Sequence, residues 1–419
     1  MSGSVALIAL TVIAFALVSR RLASTALSAP IVFVAAGLLL SHQVLDLVDL
    51  ELELEAIDLL GEATLGVLLF ADASRISLRQ LREEYMLPTR LLAIGLPLTV
   101  AATTGILMLL IDGVDVWHAA LIAAILSPTD AALGQEVVSN DAVPARIRQG
   151  LTVESGLNDG LIVPAVTLFL AFAVDEQDTE SAAFWGRFVS EQVGLGLFVG
   201  VLVGGLGALA LNRAQRSDWI DGLWAQLATF ALAIAALATA IELGGNGFIA
   251  TFVAGLVFGH LADDAEHLGE FTEDAAQLAA AISFFVFGNL LLGPSFDHLG
   301  PALLLCSLAV LTVARMIPVA VAMIGTGAAW QTRAFVGWFG PRGLASILFG
   351  IILLEEQLAD AEELFAVVAW TVTLSVVLHG ATAVVGARRY GEWWSSMSAD
   401  DRAAMPESMP VAEQRTRHM

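Results

Sequence analysis

Apolar runs long enough to cross a bilayer follow one another along almost the whole chain, and no other feature constrains the fold as strongly. A membrane-spanning helix needs roughly 17 to 25 predominantly apolar residues, and we count about thirteen such runs. Of the 419 residues, 57% are hydrophobic and 15% are charged, which is too apolar for a soluble protein. The runs begin near Val5, Pro30, Ala56, Leu87, Trp117, Ile147, Phe188, Leu223, Phe248, Leu278, Ala302, Ala334 and Leu364.

This pattern predicts an all-α polytopic membrane protein with one membrane domain at 1–389 and a polar cytoplasmic tail at 390–419. The candidate spans at 30–41 and 248–260 are short, so counts of about twelve or fourteen spans stay open. The first span has no basic residue before it, which favours a retained helix over a cleaved signal peptide.

Arginine predicts the orientation, because the chain contains no lysine and cytoplasmic connections carry an excess of basic residues. The connections at 46–58, 112–115, 175–180 and 355–363 are acidic, and arginine falls on the alternate ones. The N-terminus is therefore predicted outside the cell membrane and the C-terminus inside. Residues 260–274 lie on a predicted cytoplasmic connection although they are acidic, but acidic residues weigh little in this rule. The arginines on these alternate connections are Arg20, Arg21, Arg75, Arg79, Arg82, Arg90, Arg146, Arg148, Arg213, Arg216, Arg333, Arg388 and Arg389.

The formal net charge of -23 argues against a nucleic-acid partner. It indicates a salt-adapted, halophilic surface that holds hydrated cations, with ordinary acidic loops as the alternative. The single cysteine, Cys306, excludes an internal disulfide or a cysteine metal cluster, and no cofactor is predicted.

Two carboxylates, Glu154 and Asp159, lie inside an apolar run that otherwise has the pattern of a membrane helix. An ionisable group near the bilayer centre costs at least ~2.5 to 3.5 kcal/mol, so it usually lines a water-filled path or a substrate site. A second polar interruption at 127–130 divides the preceding apolar run. The two interruptions together predict an ion or proton pathway.

Proline marks two spans that should break near their middle. Pro128 and Pro341 each stand close to a charged residue, Asp130 and Arg342 respectively, and proline removes a backbone donor from a helix. A pair of interrupted helices in two inverted halves is the sequence signal of a midplane site in transporters. Asp130 and Arg342 are predicted to neutralise the positive and negative helix-dipole ends exposed by these breaks.

Helical periodicity places Ser155 and Asp159 on one stripe of the later span and Glu154 and Asn158 on the adjacent stripe. Carboxylate and hydroxyl oxygens, with backbone carbonyls and water, are ligands that a hard cation prefers. Desolvation favours a protonated carboxylate and a bound cation favours the ionised form, so proton and cation compete for one site.

This competition predicts exchange, provided that only loaded forms of the site cross the membrane. We assign the titrating role to Asp159. Because Asn158 adds no second titrating charge, we expect one proton per monovalent cation and no net charge movement.

Glu154 needs a partner if it stays ionised. Arg315, inside the apolar run at 303–323, is the best candidate and Arg342 is the second, because a buried unpaired guanidinium is equally costly. The pair either holds two helices in register or takes part in ion binding, and Asp130 has the same two open roles.

At these residues the chain resembles the monovalent cation/proton antiporters, in particular their prokaryotic sodium/proton exchanger branch. The resemblance implies about thirteen helices with inverted repeats and two crossed broken helices. It also implies a moving core domain near 88–175 and 300–388, a dimerisation domain and a homodimer. The matched elements are Thr129-Asp130, Glu154-Ser155-Gly156-Leu157-Asn158-Asp159 and Gly340-Pro341-Arg342-Gly343.

The resemblance implies roles for individual residues. Asp159 would carry the ion and the proton, and Glu154, Ser155 and Thr129 would contribute to the Na⁺ site. The Asn-Asp pair resembles electroneutral members, which exchange Na⁺ or Li⁺ for H⁺. One departure is Asp72, which stands one residue beyond the position of a glutamate common in the family. It either lines the cytoplasmic entrance or ends its span.

Other functions would use the same residues. K⁺/H⁺ or Ca²⁺/H⁺ exchange is the main alternative, and a channel would use the acidic cavity without coupling. Ser155 and His379 are nominal parts of a hydrolase, but no nucleophile motif surrounds Ser155, so an enzyme is not predicted. The small residues of 194–207 are expected to pack helices. A last cluster is expected to be a solvated acidic surface, with a divalent metal site as the alternative: His260, Asp263, Asp264, Glu266 and His267.

Overall fold

The computed structural model describes residues 2–22, 25, 27–48, 54–76, 86–130, 133–174, 182–355, 358, 360–403 and 405–408. Within these ranges every regular element is a helix, so the predicted all-α fold class is confirmed. Arg79, Arg82 and the acidic connection at 175–180 lie outside the described residues.

The described membrane helices number fifteen, and eight continuous helices are long and apolar enough to cross a membrane on their own. The first eight in chain order are α1 (Ser2–Leu22), α2 (Ala29–Leu40), α3 (Leu54–Ser74), α4 (Met86–Leu110), α5 (Val116–Ile125), α6 (Gln135–Val138), α7 (Ala145–Val174) and α8 (Ala182–Arg216). The others are α9 (Gly222–Glu242), α10 (Gly247–Leu261), α11 (Ala265–Leu291), α12 (Pro301–Ala322), α13 (Trp330–Trp338), α14 (Leu344–Glu355) and α15 (Ala361–Ser396). With α5/α6 and α13/α14 each counted as one interrupted span, the described part of the chain forms thirteen membrane segments, as predicted.

Polar residues in the short connections cap the helices that follow them. Asp115, Asp221 and Asn246 accept hydrogen bonds from the first amides of α5, α9 and α10, at distances between 2.7 and 3.3 Å. These amides have no partner within their own helix. The caps therefore define where three membrane helices begin.

Both interruptions predicted from proline are present and they cross each other. Pro128 lies in the non-helical segment 126–130, and Pro341 lies in the segment 339–343 between α13 and α14. The amide of Asp130 donates to the carbonyl of Pro341 at 2.8 Å, so the two segments touch backbone to backbone.

The crossing is shielded from lipid, as non-helical backbone in a membrane must be. Every residue of α5 from His118 to Ile125 is buried, and 72% of the residues in the most apolar stretch of α15 are buried. In contrast, 0% of the corresponding stretch of α1 is buried, so α1 lies at the periphery and the broken helices lie in the interior.

The glycine stripe of α8 packs against α10. A Cβ atom at Gly200 would lie 2.6 Å from the carbonyl oxygen of Ala250, and one at Gly204 would lie 2.8 Å from the Cα atom of Ala254. Only glycine allows this approach of two backbones. The predicted packing role of this stripe therefore has a defined partner helix.

The acidic stretch at 260–274 is not a loop, and the predicted start of its helix near Leu278 is wrong. α11 begins at Ala265 and carries most of these acidic residues on its first turns. The apolar run marks only the C-terminal part of α11. The N-terminal turns of this helix are amphipathic, so they do not appear as an apolar run in the sequence.

The acidic side chains of this stretch pair with neighbouring helices. Arg216 of α8 makes a two-pronged contact with Asp263 at 2.7 and 2.9 Å, and Arg75 contacts Glu273 at 2.8 Å. Among the described residues no group of three His, Cys, Asp or Glu side chains is arranged to hold a metal ion. The five residues of the expected acidic cluster are exposed, and two carboxylates of the stretch also pair with arginines from neighbouring parts of the chain.

The last long helix, α15, does not end at residue 389, where the membrane domain was predicted to end. α15 continues to Ser396, and Tyr390 on it is buried. Farther along, the buried Glu407 accepts hydrogen bonds from the Thr332 hydroxyl at 2.6 Å and the Ala329 amide at 3.0 Å. Glu407 therefore caps the N-terminus of α13, where the helix dipole favours an anion. Part of the predicted tail is packed onto the domain.

Gly204→Ala should destabilise the α8–α10 contact, because its Cβ would overlap the backbone of Ala254. We expect a cost of roughly 1–3 kcal/mol, typical of overpacking, measured as a lower melting temperature in detergent. Gly205→Ala is the matched control, because the nearest atom to its Cβ is Val257 Cγ1 at 3.7 Å. Equal melting temperatures for the two variants would contradict this packing.

Candidate functional site

The polar centre forms where α7 passes the first helix break. Thr129 in the non-helical segment contacts two residues of α7: its Oγ1 lies 2.9 Å from Ser155 Oγ and accepts a hydrogen bond from Asn158 Nδ2 at 2.7 Å. Thr129 and Asn158 are each 1% exposed. Helical spacing of one turn puts Ser155 and Asn158 on neighbouring stripes, so both reach the same hydroxyl.

Asp159 lies beside this cluster and is 6% exposed. Its Oδ1, like the Oδ1 of Asn158, has no hydrogen-bond partner among the described residues. Buried polar atoms are nearly always paired, so two unpaired oxygens at one place indicate room for a ligand. Oxygen ligands with a carboxylate suit a hard cation or a proton.

Glycine lets α7 carry these groups close to its neighbours. A Cβ at Gly160, the residue after Asp159, would lie 2.5 Å from the ring of Phe252 on α10. The aromatic ring therefore covers the helix directly beside the carboxylate and limits access of lipid and bulk water from that side.

Glu154 and Arg315 form a buried two-pronged ion pair. Arg315 Nη1 lies 2.6 Å from Glu154 Oε1, and Arg315 Nη2 donates to Glu154 Oε2 at 2.9 Å. Each side chain is 2% exposed. Of the two partners considered for Glu154, the structure thus selects Arg315 of α12.

Asp130 and Arg342 lie at the helix ends that the crossing exposes. Asp130 Oδ2 accepts from the amide of Leu344, the first residue of α14, at 3.1 Å. Arg342 Nη1 donates to the carbonyls of Ser127 at 2.7 Å and Pro128 at 3.1 Å, just after α5. An anion thus stands at a positive helix end and a cation near a negative end, each arrangement worth about 0.3 to 2 kcal/mol.

The two glycines of the motif at 340–343 make space for these charges. A Cβ at Gly340 would lie 2.5 Å from Arg315 Nε, and a Cβ at Gly343 would lie 2.6 Å from the carboxyl carbon of Asp130. The motif therefore combines a helix-breaking proline with two positions where a charged side chain can rest on bare backbone.

Asp72 of α3 is partly exposed. The carboxylates of Asp72 and Asp130 both interact electrostatically with Asp159. The role of Asp72 as an entrance residue stays a prediction.

Sequence reasoning missed Ser346, whose hydroxyl donates to the carbonyl of Ile125 at 2.7 Å. This bond satisfies a carbonyl at the end of α5 from the first turn of α14. A hydroxyl residue soon after a predicted break was the available signal.

The fold and the polar crossing define a class of protein, because crossed broken helices around buried charges are a feature of ion-coupled transporters. The family model "Sodium/hydrogen exchanger, transmembrane" matches residues 6–385. The chain belongs to this family, a family of multi-pass membrane transporters.

The individual relatives share about a quarter of their aligned residues with this chain. The K⁺/H⁺ antiporter NhaP2 of Shewanella sp. (strain MR-4) is 25% identical over 333 residues, which are 79% of this chain and 57% of that protein. The K⁺/H⁺ antiporter NhaP of Alkalimonas amylolytica is 26% identical over 399 residues, 93% of this chain and 67% of that protein. The match thus spans little more than half of the NhaP2 sequence.

Among solved structures, the sodium proton antiporter MjNhaP1 from Methanocaldococcus jannaschii at pH 8 superposes with a TM-score of 0.77. The alignment covers 93% of this chain and 98% of that chain at 18% identity. At this identity the likeness shows a shared fold.

Removing one member of the Glu154–Arg315 pair should destabilise the protein strongly, by about 3–5 kcal/mol, because a buried charge is left unpaired. We expect Glu154→Gln and Arg315→Leu each to lower the melting temperature, and the double variant to recover much of the loss. A double-mutant cycle in detergent measures this coupling. Purely additive effects would show that the contact does not couple the two helices.

Proposed function

We propose that the protein is a secondary antiporter that exchanges a monovalent cation, Na⁺ or Li⁺, for H⁺ at Asp159. One observation carries this proposal: Asp159 is buried at the helix crossing with an unpaired carboxylate oxygen, next to the Thr129–Ser155–Asn158 cluster. A carboxylate in this position binds either a proton or a cation, and both relieve the cost of an uncompensated buried charge.

Exchange follows if the empty, anionic site cannot pass between inward-open and outward-open states. A desolvated charge moving through the protein costs several kcal/mol or more, whereas the protonated and the cation-loaded sites are neutral. Each cation carried one way is then matched by a proton carried the other way. Ser155 and Thr129 would supply hydroxyl oxygens to the cation.

The charges of the site favour a ratio of one to one without net charge movement. Glu154 is held by the two terminal guanidinium nitrogens of Arg315, Nη1 and Nη2, so its charge is compensated throughout the cycle. Asn158 is neutral, and its side-chain amide donates a hydrogen bond to the Thr129 hydroxyl, which orients that hydroxyl. Asp159 alone of these three side chains would then change its load, and the transported proton and cation carry equal charge.

K⁺/H⁺ exchange is the second candidate. It is supported by the names of the NhaP2 and NhaP relatives, which are K⁺/H⁺ antiporters. The Na⁺/H⁺ reading is supported by the family model and by an Na⁺/H⁺ antiporter of Schizosaccharomyces pombe, 24% identical over 66% of this chain. The same oxygens would bind either ion, with cavity size and ligand number deciding between them.

The proposal includes a location and an assembly. Alternating arginine-rich connections support a plasma-membrane protein with its N-terminus outside and its C-terminus in the cytoplasm. A homodimer follows from the family resemblance, and cross-linking in native membranes tests it.

Proton flux in proteoliposomes with an imposed pH gradient tests the proposed function. Na⁺, Li⁺, K⁺ and Ca²⁺ are titrated in turn, with and without a voltage clamp by valinomycin. Voltage-independent dequenching by Na⁺ or Li⁺ is the expected result, and a response to K⁺ alone would select the second candidate. No response to any cation would refute antiport.

Asp159→Asn should abolish this flux, because the variant binds neither the proton nor the cation as a carboxylate does. Its melting temperature and size-exclusion profile should match those of the unaltered protein, since the side chain has nearly the same shape. Asp274→Asn on the exposed face of α11 is the matched control and should retain full flux. Substantial transport by Asp159→Asn would remove Asp159 from the mechanism.

A further inference from the structure

The second helix break has two backbone groups that its own helices leave unsatisfied. The carbonyl of Trp338 closes α13, and the amide of Arg342 precedes α14. Groups of this kind need a partner when they are buried, because an unmade hydrogen bond costs the full desolvation of the group. The amide of Arg342 finds that partner on α15, and the carbonyl of Trp338, which also accepts from the amide of Gly340 at 2.9 Å, finds a second partner there.

Ser375 and His379 lie one turn apart on α15 and reach both ends of the break. The amide of Arg342 donates to Ser375 Oγ at 2.6 Å, and Ser375 Oγ lies 3.1 Å from His379 Nδ1. His379 Nε2 lies 2.9 Å from the carbonyl oxygen of Trp338. Ser375 and His379 are 0% and 1% exposed, so water does not compete for these contacts.

The contacts define where the imidazole proton resides. With the proton on Nε2, the ring donates to Trp338, and its Nδ1 accepts the Ser375 hydroxyl proton, which satisfies every member of the chain. With the proton on Nδ1 instead, the ring would donate to the carbonyl oxygen of Ser375 at 3.0 Å. The Ser375 hydroxyl would then lose Nδ1 as its acceptor, and the Nε2 lone pair would face the carbonyl oxygen of Trp338 at 2.9 Å.

A doubly protonated His379 would place a third positive charge in a buried pocket. The charged groups that act on His379 from the elements packed against it are the guanidinium groups of Arg342 and Arg315. Both repel a cation. The neutral ring with its proton on Nε2 is the form that fits both the hydrogen bonds and the charges.

The break held in this way leads directly to the proposed cation site. Arg342 is anchored through its amide on Ser375, and its side chain crosses to the carbonyls of Ser127 and Pro128. Pro128 is followed in the chain by Thr129, whose hydroxyl contacts both Ser155 and Asn158. A shift of Arg342 would therefore move the segment that carries a cation ligand.

We propose that Ser375 and His379 are positioning residues of the transporter: their hydrogen-bond relay joins the two ends of the second helix break. Through Arg342 the relay fixes the place of Thr129 relative to Asp159. This inference goes beyond the proposed function but rests on it for its transport readout.

The cation concentration that gives half-maximal flux in proteoliposomes tests whether Ser375 and His379 position the cation site. Ser375→Ala and His379→Leu should raise it roughly three- to tenfold, the effect of losing one or two hydrogen bonds, while the maximal rate per folded transporter falls less. Ser375→Thr and His379→Gln should restore it, because they return the hydroxyl and the donor. A merely structural role would lower the melting temperature and leave this concentration unchanged, which would overturn the proposal.

Thr382→Val is the matched control. Thr382 is on α15, one turn beyond the relay, and accepts a hydrogen bond from the Trp338 indole Nε1 at 2.9 Å. It thus joins the same two helices without touching the break's backbone ends. We expect it to leave the half-saturating concentration unchanged, and a shift as large as that of Ser375→Ala would refute the relay's specific role.

Nitrogen-15 NMR of histidine-labelled protein in lipid tests the relay independently of transport. The chain has 7 histidines, and the signals lost in His379→Gln identify those of His379. The expected pair of shifts is that of a neutral ring protonated on Nε2, and a ring protonated on Nδ1 or on both nitrogens would overturn the relay. Absence of cation-driven flux in the unaltered protein would instead refute the proposed function and leave this result standing.

Discussion

The crossing of two broken helices is the constraint on which the rest of the site depends. Each break exposes carbonyls or amides that carry about half an elementary charge, and these would be ruinous in lipid if left bare. The protein places Asp130 at the start of α14 and Arg342 after the end of α5. Two glycines, Gly340 and Gly343, provide the space that the buried charges require.

Around this crossing the buried charges divide into compensated and uncompensated groups. Glu154 and Arg315 satisfy each other, and Asp130 and Arg342 satisfy helix ends. Asp159 has an oxygen with no partner among the described residues. In the proposed function, a cation or a proton supplies the compensation that this carboxylate lacks. Because Glu154 is balanced by Arg315, and Asp130 and Arg342 carry opposite charges, a single cation or proton at Asp159 would restore neutrality, which is the physical basis of the proposed electroneutral exchange.

The helix breaks, the Glu154–Arg315 pair and the placement of Asp130 and Arg342 follow from sequence because proline and buried charge carry strong local costs. The helix boundaries that lie outside the apolar runs were harder to predict from the sequence. α11 begins inside an acidic stretch and α15 runs past Tyr390, because amphipathic turns lack an apolar run. The pairing of Ser375 with the break was also invisible, since a serine on an apolar helix has many partners within reach.

The sequence by itself therefore determined that this chain is a membrane protein of about thirteen spans, that two spans are interrupted, and that one buried carboxylate needs a proton or a cation to compensate its charge. The tertiary structure alone decided which atoms meet across the interruptions. Thr129 meets Ser155 and Asn158 over 26 and 29 residues, and Arg342 meets Ser127 over 215. The reason is physical: the cost of an exposed charge or broken helix is a property of a short segment, whereas its compensation comes from whichever distant segment the packing brings near.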